Sequence, residues 1–122
     1  MRIERKREVM EIVEADVAGS SYRDVNLSES RFEDVNMSRV NFSQANLSGV
    51  TIDDSTMPGA RFHNMNLSGS NFDDVNMRHV VIENATLTSL NIRNCKIDGM
   101  AIDGVLVSDM LSAYRASGAG KG

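Results

Sequence analysis

Tryptophan is absent, and aromatic residues make up only 5% of the 122-residue chain, two Tyr and four Phe. Any core must therefore be built from aliphatic side chains and the eight methionines. A single cysteine excludes an intramolecular disulfide and fits a reducing compartment, so the cytoplasm is the expected location. No apolar run approaches the roughly 20 residues of a membrane-spanning helix, so no membrane role is expected. The first residues, MRIERKREVMEIVEADV, include basic side chains but no apolar stretch of signal-peptide length. The length suits one domain of modest size.

The net charge of −4 is unevenly distributed. Residues 1–7 carry Arg2, Arg5, Lys6 and Arg7 against Glu4, and residues 110–122 add Arg115 and Lys121. Between them, residues 8–109 hold seven bases and sixteen acids, a balance of −9. An acidic body with basic ends does not suit direct nucleic-acid binding, which needs basic surface.

The chain repeats itself. Residues 28–40, SESRFEDVNMSRV, and residues 68–80, SGSNFDDVNMRHV, agree at eight of thirteen positions. The underlying period is five. From Ile12 to Val107 every fifth residue is apolar, through Val17, Tyr22, Leu27, Phe32 and Met37 onward, without exception over twenty repeats. A smaller residue, usually Ser, Ala or Val, sits two positions before each centre. Five steps of a helix advance about 500°, which smears such a stripe around its surface. In a flat strand an odd period would switch faces at every repeat. A chain that turns a corner every five residues satisfies it, with each centre pointing inward.

Sorting the centres by every fourth repeat counts the sides of that coil. One column reads Leu27, Leu47, Leu67, Leu87, Val107, and another reads Val17, Met37, Met57, Met77, Ile97. Like falls on like at a spacing of twenty, so the coil has four sides and twenty residues per turn. Coils about 4.8 Å apart make five turns into a rod of roughly 24 Å. Corner volumes complement one another along the stack, as in Ser30, Val50, Ser70 and in Ala45, Met65, Ala85.

The pattern A/S/V-N/D-L/F/M-x-x over residues 10–109 resembles the pentapeptide-repeat family. That resemblance implies an all-β fold, a right-handed quadrilateral β-helix of about five coils. The reading divides the chain into a charged N-terminal leader at 1–9 that covers or repels at the first coil, the β-helix at 10–109, a short C-terminal helix at 110–116 and a flexible tail at 117–122. Ser108 can cap the helix and Gly118 follows its end. Met110, Leu111 and Tyr114 share one side of it, either lying over the last coil or forming a dimer contact, which leaves monomer and C-terminal homodimer both open.

Two outer faces differ. The face built on Phe32, Ile52 and Phe72 carries three stacked acidic pairs, Glu33 with Asp34, Asp53 with Asp54 and Asp73 with Asp74. These carboxylates repel, with Arg31 and Arg93 placed to relieve them in part. They either solubilise the rod or form a docking surface for a basic partner. The face on Leu27, Leu47 and Leu67 is small, flat and nearly neutral, with Asn, Ser, Gly and Thr outward. Its residues are placed for side-chain hydrogen bonds in stacked turns. Gly49, Gly59, Gly69, Gly99 and Gly104 share one repeat position, a turn role.

Catalytic chemistry finds little support. His63 and His79 point outward without ligands at metal spacing. Cys95 occupies an inward corner, as a small core residue does. A convex rod offers the paired acids no cleft, and neither a nucleophile with a base nor a phosphate-binding glycine loop is present. The expected function is a non-catalytic scaffold, without cofactor or metal, that binds a protein partner through its flat faces. The family resemblance implies an alternative, since some pentapeptide-repeat proteins mimic duplex DNA and bind type II topoisomerases, protecting gyrase from quinolones. The acidic body favours that alternative. The short length, the unbroken repeat and the confinement of the acids to one face favour the scaffold.

Overall fold

The computed structural model describes residues 2–4 and 11–118. Its strands are short because the chain turns every five residues: β1 Arg2–Glu4, β2 Glu11–Val13, β3 Ser21–Arg23, β4 Arg31–Glu33, β5 Asn41–Ser43, β6 Thr51–Asp53, β7 Arg61–Asn66, β8 Asn71–Asp73, β9 Val81–Thr86, β10 Asn91–Arg93, β11 Ala101–Ile102 and β12 Val105–Leu106. One helix follows, α1 Val107–Ala116.

The strands fall into two parallel stacks that form opposite sides of a four-sided coil. The first side is β2, β4, β6, β8, β10, and the third is β1, β3, β5, β7, β9, β11. The second and fourth sides are ladders of single bridges, Asp16–Asn36–Thr56–Asn76–Lys96 and Asn26–Asn46–Asn66. From β2 onward the register of these stacks is twenty, as in Phe32↔Ile52↔Phe72 and Tyr22↔Phe42↔Phe62, whereas β1 meets β3 at nineteen, Ile3 opposite Tyr22. Five coils stack in this way, and the fold is the β-solenoid that the column analysis anticipates.

Each corner requires a left-handed residue. Gly49 and Gly69 hold φ near 70° at the turn between the fourth and first sides, where the amides of Val50 and Ser70 close four-residue β-turns onto the carbonyls of Leu47 and Leu67. At most corners that follow the first and third sides the αL residue is Asp or Asn, the L-residues that tolerate this region best.

The inward centres make the core. Leu27, Met37, Leu47, Ile52, Met57, Leu67 and Met77 are fully buried. On the third side Tyr22, Phe42 and Phe62 stack with ring centroids 4.9 and 5.2 Å apart, and Phe72 meets Phe62 edge-on at 6.1 Å. The small corner residues are satisfied as well as packed. The Ser55 hydroxyl accepts from the Val35 amide at 3.1 Å and donates to the Asp53 carbonyl at 2.8 Å. The Ser70 hydroxyl donates to the Leu47 carbonyl at 2.8 Å.

The ends differ from the sequence reading. Residues 2–4, placed there in a charged leader, form a strand in register with β3 and so extend the third side; the remainder of 1–9 lies outside the described residues. The repeat was expected to run to 109, but its parallel ladder stops at Ile102. Asp103 and Gly104, with φ of 50° and 81°, reverse the chain so that β12 pairs antiparallel with β11. Paired positive φ values on Asp-Gly are those of a two-residue hairpin turn. Val107 therefore begins the helix instead of heading a fifth leucine-column coil. The helix starts at Val107, not at 110, with Leu106 at its cap and no side-chain cap bond, so Ser108 lies inside the first turn. Its end is as read: the Gly118 amide donates to the Arg115 carbonyl at 3.1 Å, with Gly118 at φ 80°. The tail beyond Gly118 lies outside the described residues.

Phe62 is 1% exposed and stacked between coils. Phe62→Ala is expected to lower unfolding free energy by about 3–5 kcal/mol in denaturant melts. A loss under about 1 kcal/mol would contradict its place in the ring stack.

Candidate functional site

Strand register brings the acids of the first side together. Glu33, Asp53 and Asp73 are direct register partners on β4, β6 and β8. Asp34, Asp54 and Asp74 occupy the next corner, one above another, at φ of 53°, 48° and 56°. All six candidate residues from the sequence thus lie in two adjacent columns.

The two columns differ in what neutralises them. Arg31 reaches both Glu33 and, at 3.5 Å, Glu11. Asp73 has Arg93 at 3.9 Å and accepts a hydrogen bond from Asn94 Nδ2 at 3.0 Å. No ion pair is formed by Asp34, Asp54 or Asp74 among the described residues. A hydrogen bond between the Asp54 and Asp74 side chains, together with the charge of Asp53, holds the Asp54 carboxyl above the ordinary carboxylate range.

Backbone conformation explains only part of this column. An αL corner favours Asp or Asn equally, and Asn fills it at 64, 84 and 94. The conformational need can be met without charge, so three aspartates in one column add repulsion that the fold does not require.

A groove of about 530 Å³ runs beside the corner, contrary to the reading that a convex rod offers none. Asp34, Asp54 and Asp74 form one wall and Asn36, Thr56 and Asn76 the floor, with Lys96 at one end. It arises because the second side is flat while the corner side chains stand above it.

The fourth side behaves as its composition suggests. Asn26, Asn46 and Asn66 each accept, through Oδ1, the amide two residues on, at 2.9–3.0 Å. These asparagines are occupied with their own turns. His63 lies on the third side and His79 at the corner before it. Among the described residues no group of three or more His, Cys, Asp or Glu is arranged to hold a metal ion. Cys95 is half-buried, its Sγ donating to the Arg93 carbonyl at 3.0 Å, and burial pushes its thiol up.

The C-terminal end is the other candidate. Leu111 and Val107 line an apolar recess of about 230 Å³ with Ile92, Ile97, Met100 and Ile102 of the last coil. Yet α1 has no buried residue, and Met110, Leu111 and Tyr114 remain 38%, 37% and 53% exposed. Val105 and Leu106 are exposed beside them. The helix touches the end of the core without sealing it. No helix among the described residues is long and apolar enough to cross a membrane.

Comparisons with known proteins agree with this architecture. A family model described as "Pentapeptide repeat region" matches residues 13–75, and one described as "Pentapeptide repeats (8 copies)" matches residues 66–99. A search of curated protein sequences finds no significant match. Among solved structures, a pentapeptide repeat protein, Rfr23, from the cyanobacterium Cyanothece 51142 is similar at 16% identity, with 84% of each chain covered and a TM-score of 0.76. A pentapeptide repeat protein from the Arabidopsis thaliana thylakoid lumen is similar at 18% identity, over 88% of this chain and 75% of that one, with a TM-score of 0.50. QnrB1, a plasmid-mediated fluoroquinolone resistance protein, aligns over 94% of this chain and 96% of its own at 12% identity, but its TM-score of 0.29 carries no argument. The first two likenesses are likenesses of fold.

The raised Asp54 carboxyl fixes the sign of a pH effect. The folded chain holds this proton more tightly than the unfolded chain, whose value is ordinary, near 3.8. Stability from this group therefore rises as pH falls through the raised value and levels off below the ordinary one. Asn suits the same αL corner, so Asp54→Asn is expected to raise the melting temperature at pH 7 by about 1–3 °C, an exposed-charge effect. The gain should shrink on acidification to about pH 4. A lower melting temperature at pH 7 would show that the column is not under repulsion.

Proposed function

The chain belongs to the pentapeptide-repeat family, and on that premise we propose that it is a non-catalytic cytoplasmic scaffold that docks a basic protein partner along its acidic first side. The observation that carries this reading is the column Asp34, Asp54, Asp74, charged where Asn would serve the backbone equally well. The groove beside it gives a partner's cationic side chains a seat against the rod. Individual exposed ion pairs contribute at most about 1 kcal/mol. A ladder of them steers association and sets orientation, and it weakens as salt screens it.

A narrower reading, mimicry of duplex DNA toward a type II topoisomerase such as gyrase, is favoured by linear charge density. Two carboxylates per coil place one charge per roughly 2.4 Å of rod, given a coil spacing of about 4.8 Å. Duplex DNA carries one per about 1.7 Å. The match extends over three coils, and Arg31 and Arg93 dilute it.

The C-terminal end supports a second element of the proposal, a homodimer through α1. Its exposed Met110, Leu111 and Tyr114 adjoin a half-open core end, and joining two such ends would bury both.

Two experiments test these readings. Neutralising Asp53, Asp54, Asp73 and Asp74 together to Asn is expected to abolish partner retention at low salt, and any protection of gyrase supercoiling from a quinolone, while leaving the melting temperature no lower. A partner held equally at low and high salt would count against the acidic side, and no effect on supercoiling at micromolar protein would remove the gyrase reading. For the end contact, sedimentation equilibrium is expected to show a concentration-dependent dimer that Leu111→Lys with Tyr114→Lys converts to monomer. A wild-type chain that stays monomeric at every concentration would refute the dimer.

A further inference from the structure

The third side, opposite the acids, carries a different charge. Arg31, Arg78 and Arg93 on the first and second sides each reach a carboxylate. Arg23 and Arg61 on the third side form no ion pair among the described residues. Register sets them around one small residue. Arg23, Ser43 and His63 are successive register partners on β3, β5 and β7, and Asn41 and Arg61 are partners in the adjoining column. Arg23, Arg61 and His63 are all exposed, and Ser43 is half-buried between them.

Two shallow recesses meet on this floor. One is lined by Asn41, Ser43, Arg61, His63 and Glu83, the other by Ser21, Tyr22, Arg23, Asn41 and Ser43. They share Asn41 and Ser43, so the surface is one notch with a cation on either side.

We propose that this notch binds a single phosphate group, with Arg23 and His63 closing on it across Ser43 and Arg61 beside it. The dimensions agree. Strands two apart are separated by about 9.6 Å. A tetrahedral oxyanion about 2.5 Å between oxygens, with a charge-assisted hydrogen bond of about 2.8 Å on each side, spans about 8 Å. The two guanidinium groups, the imidazole, the Ser43 hydroxyl and the Asn41 amide offer donors to three or more oxygens, which a phosphate monoester has and a carboxylate lacks.

The surroundings limit the ligand to one such group. The column is bounded by acidic register partners, Glu4 before Arg23 and Glu83 after His63. A second phosphate along the rod axis beyond His63 would meet Glu83, and the acidic body repels a polyanion at long range. The ligand class is therefore an isolated phosphate monoester, a phosphorylated side chain or a small free phosphate, and not a nucleic acid or an anionic membrane. This site is independent of the acidic first side.

The test is an amide chemical-shift titration of the full chain, with inorganic phosphate and with O-phosphoserine, against sodium chloride at matched ionic strength. Expected are saturable shifts at Arg23, Asn41, Ser43, Arg61 and His63 within about 50 mM ligand, the weak range for an exposed site. Arg23→Gln and Arg61→Gln, both at exposed positions, should each weaken binding about five-fold, the upper end for an exposed charge pair. Ser43→Glu should eliminate it by setting a carboxylate in the notch, with melting temperatures of all three variants confirming the fold. Tighter binding of phosphoserine assigns the site to phosphorylated side chains, and equal binding assigns it to free phosphate. Shifts that fail to saturate, that chloride reproduces, or that persist unchanged in both arginine variants overturn the proposal.

Discussion

Everything in this molecule depends on the hydrogen bonds between coils. The amides of Leu27, Leu47 and Leu67 donate to the carbonyls of Asn46, Asn66 and Thr86 at 2.8–2.9 Å, and those of Asn46 and Asn66 return to Val25 and Ala45 at 2.9–3.0 Å. Within one coil the backbone closes little besides its corner turns, so a lone coil would leave most of its polar groups unpaired. Stacking satisfies them, and from β2 onward it fixes the register at twenty. That register makes every inward residue a neighbour of its counterparts above and below. It also makes every outward residue part of a column, so chemical identity on the surface is organised by side and not by sequence neighbourhood.

The same dependence makes the ends unlike the middle. Central centres such as Leu47 and Met57 have a coil on both sides and are fully buried. Ile92 and Ile97 have a coil on only one and remain half-exposed. Stability in such stacks is a sum over neighbours, so the last coils hold least of it. The chain manages its C-terminal end by reversing at Asp103–Gly104, which covers the edge of β11 with an antiparallel strand. The reversal pairs the backbone but leaves the apolar interior only partly covered. An end that is closed in hydrogen bonds and open in hydrophobic surface suits a partner that supplies side chains and not strands.

Much of this was legible because the period is short and unbroken. Columns of like residues at a spacing of twenty gave the number of sides, the inward set and the stacking of Glu33, Asp53 and Asp73 before any coordinate. What was not legible has physical causes. Gly104 falls at the same repeat position as Gly49, so periodicity hid its role, although Asp103 before it marks a hairpin turn. Strand β1 was hidden because it pairs with β3 at a spacing of nineteen, so Ile3 lies one position off the five-residue series that begins at Ile12. The groove depends on how high corner side chains stand above a flat side, which no sequence column measures. The arginines of the third side are hidden in a charge summed over the whole body, which is acidic. Arg23 and Arg61 lie 38 positions apart in sequence and only two coils apart in space.

On a rod this thin, charge acts side by side and not as a sum. The first and third sides are stacked sheets separated by one layer of core, about 10 Å from backbone to backbone. At physiological ionic strength the field of an exposed charge fades over about 8 Å of water. A molecule approaching the first side therefore meets Asp34, Asp54 and Asp74 before the arginines behind them register, and one approaching the third side meets Arg23 and Arg61 first. The net charge of −4 governs encounter at distance and disfavours polyanions from every direction. At contact range the two sides behave as separate surfaces, the first acidic and the third carrying Arg23 and Arg61 with Glu83 beyond them. A solenoid can hold both because its core does not discriminate between them: Phe32 and Phe42 are equally buried, while the residues that flank them outward are free to differ.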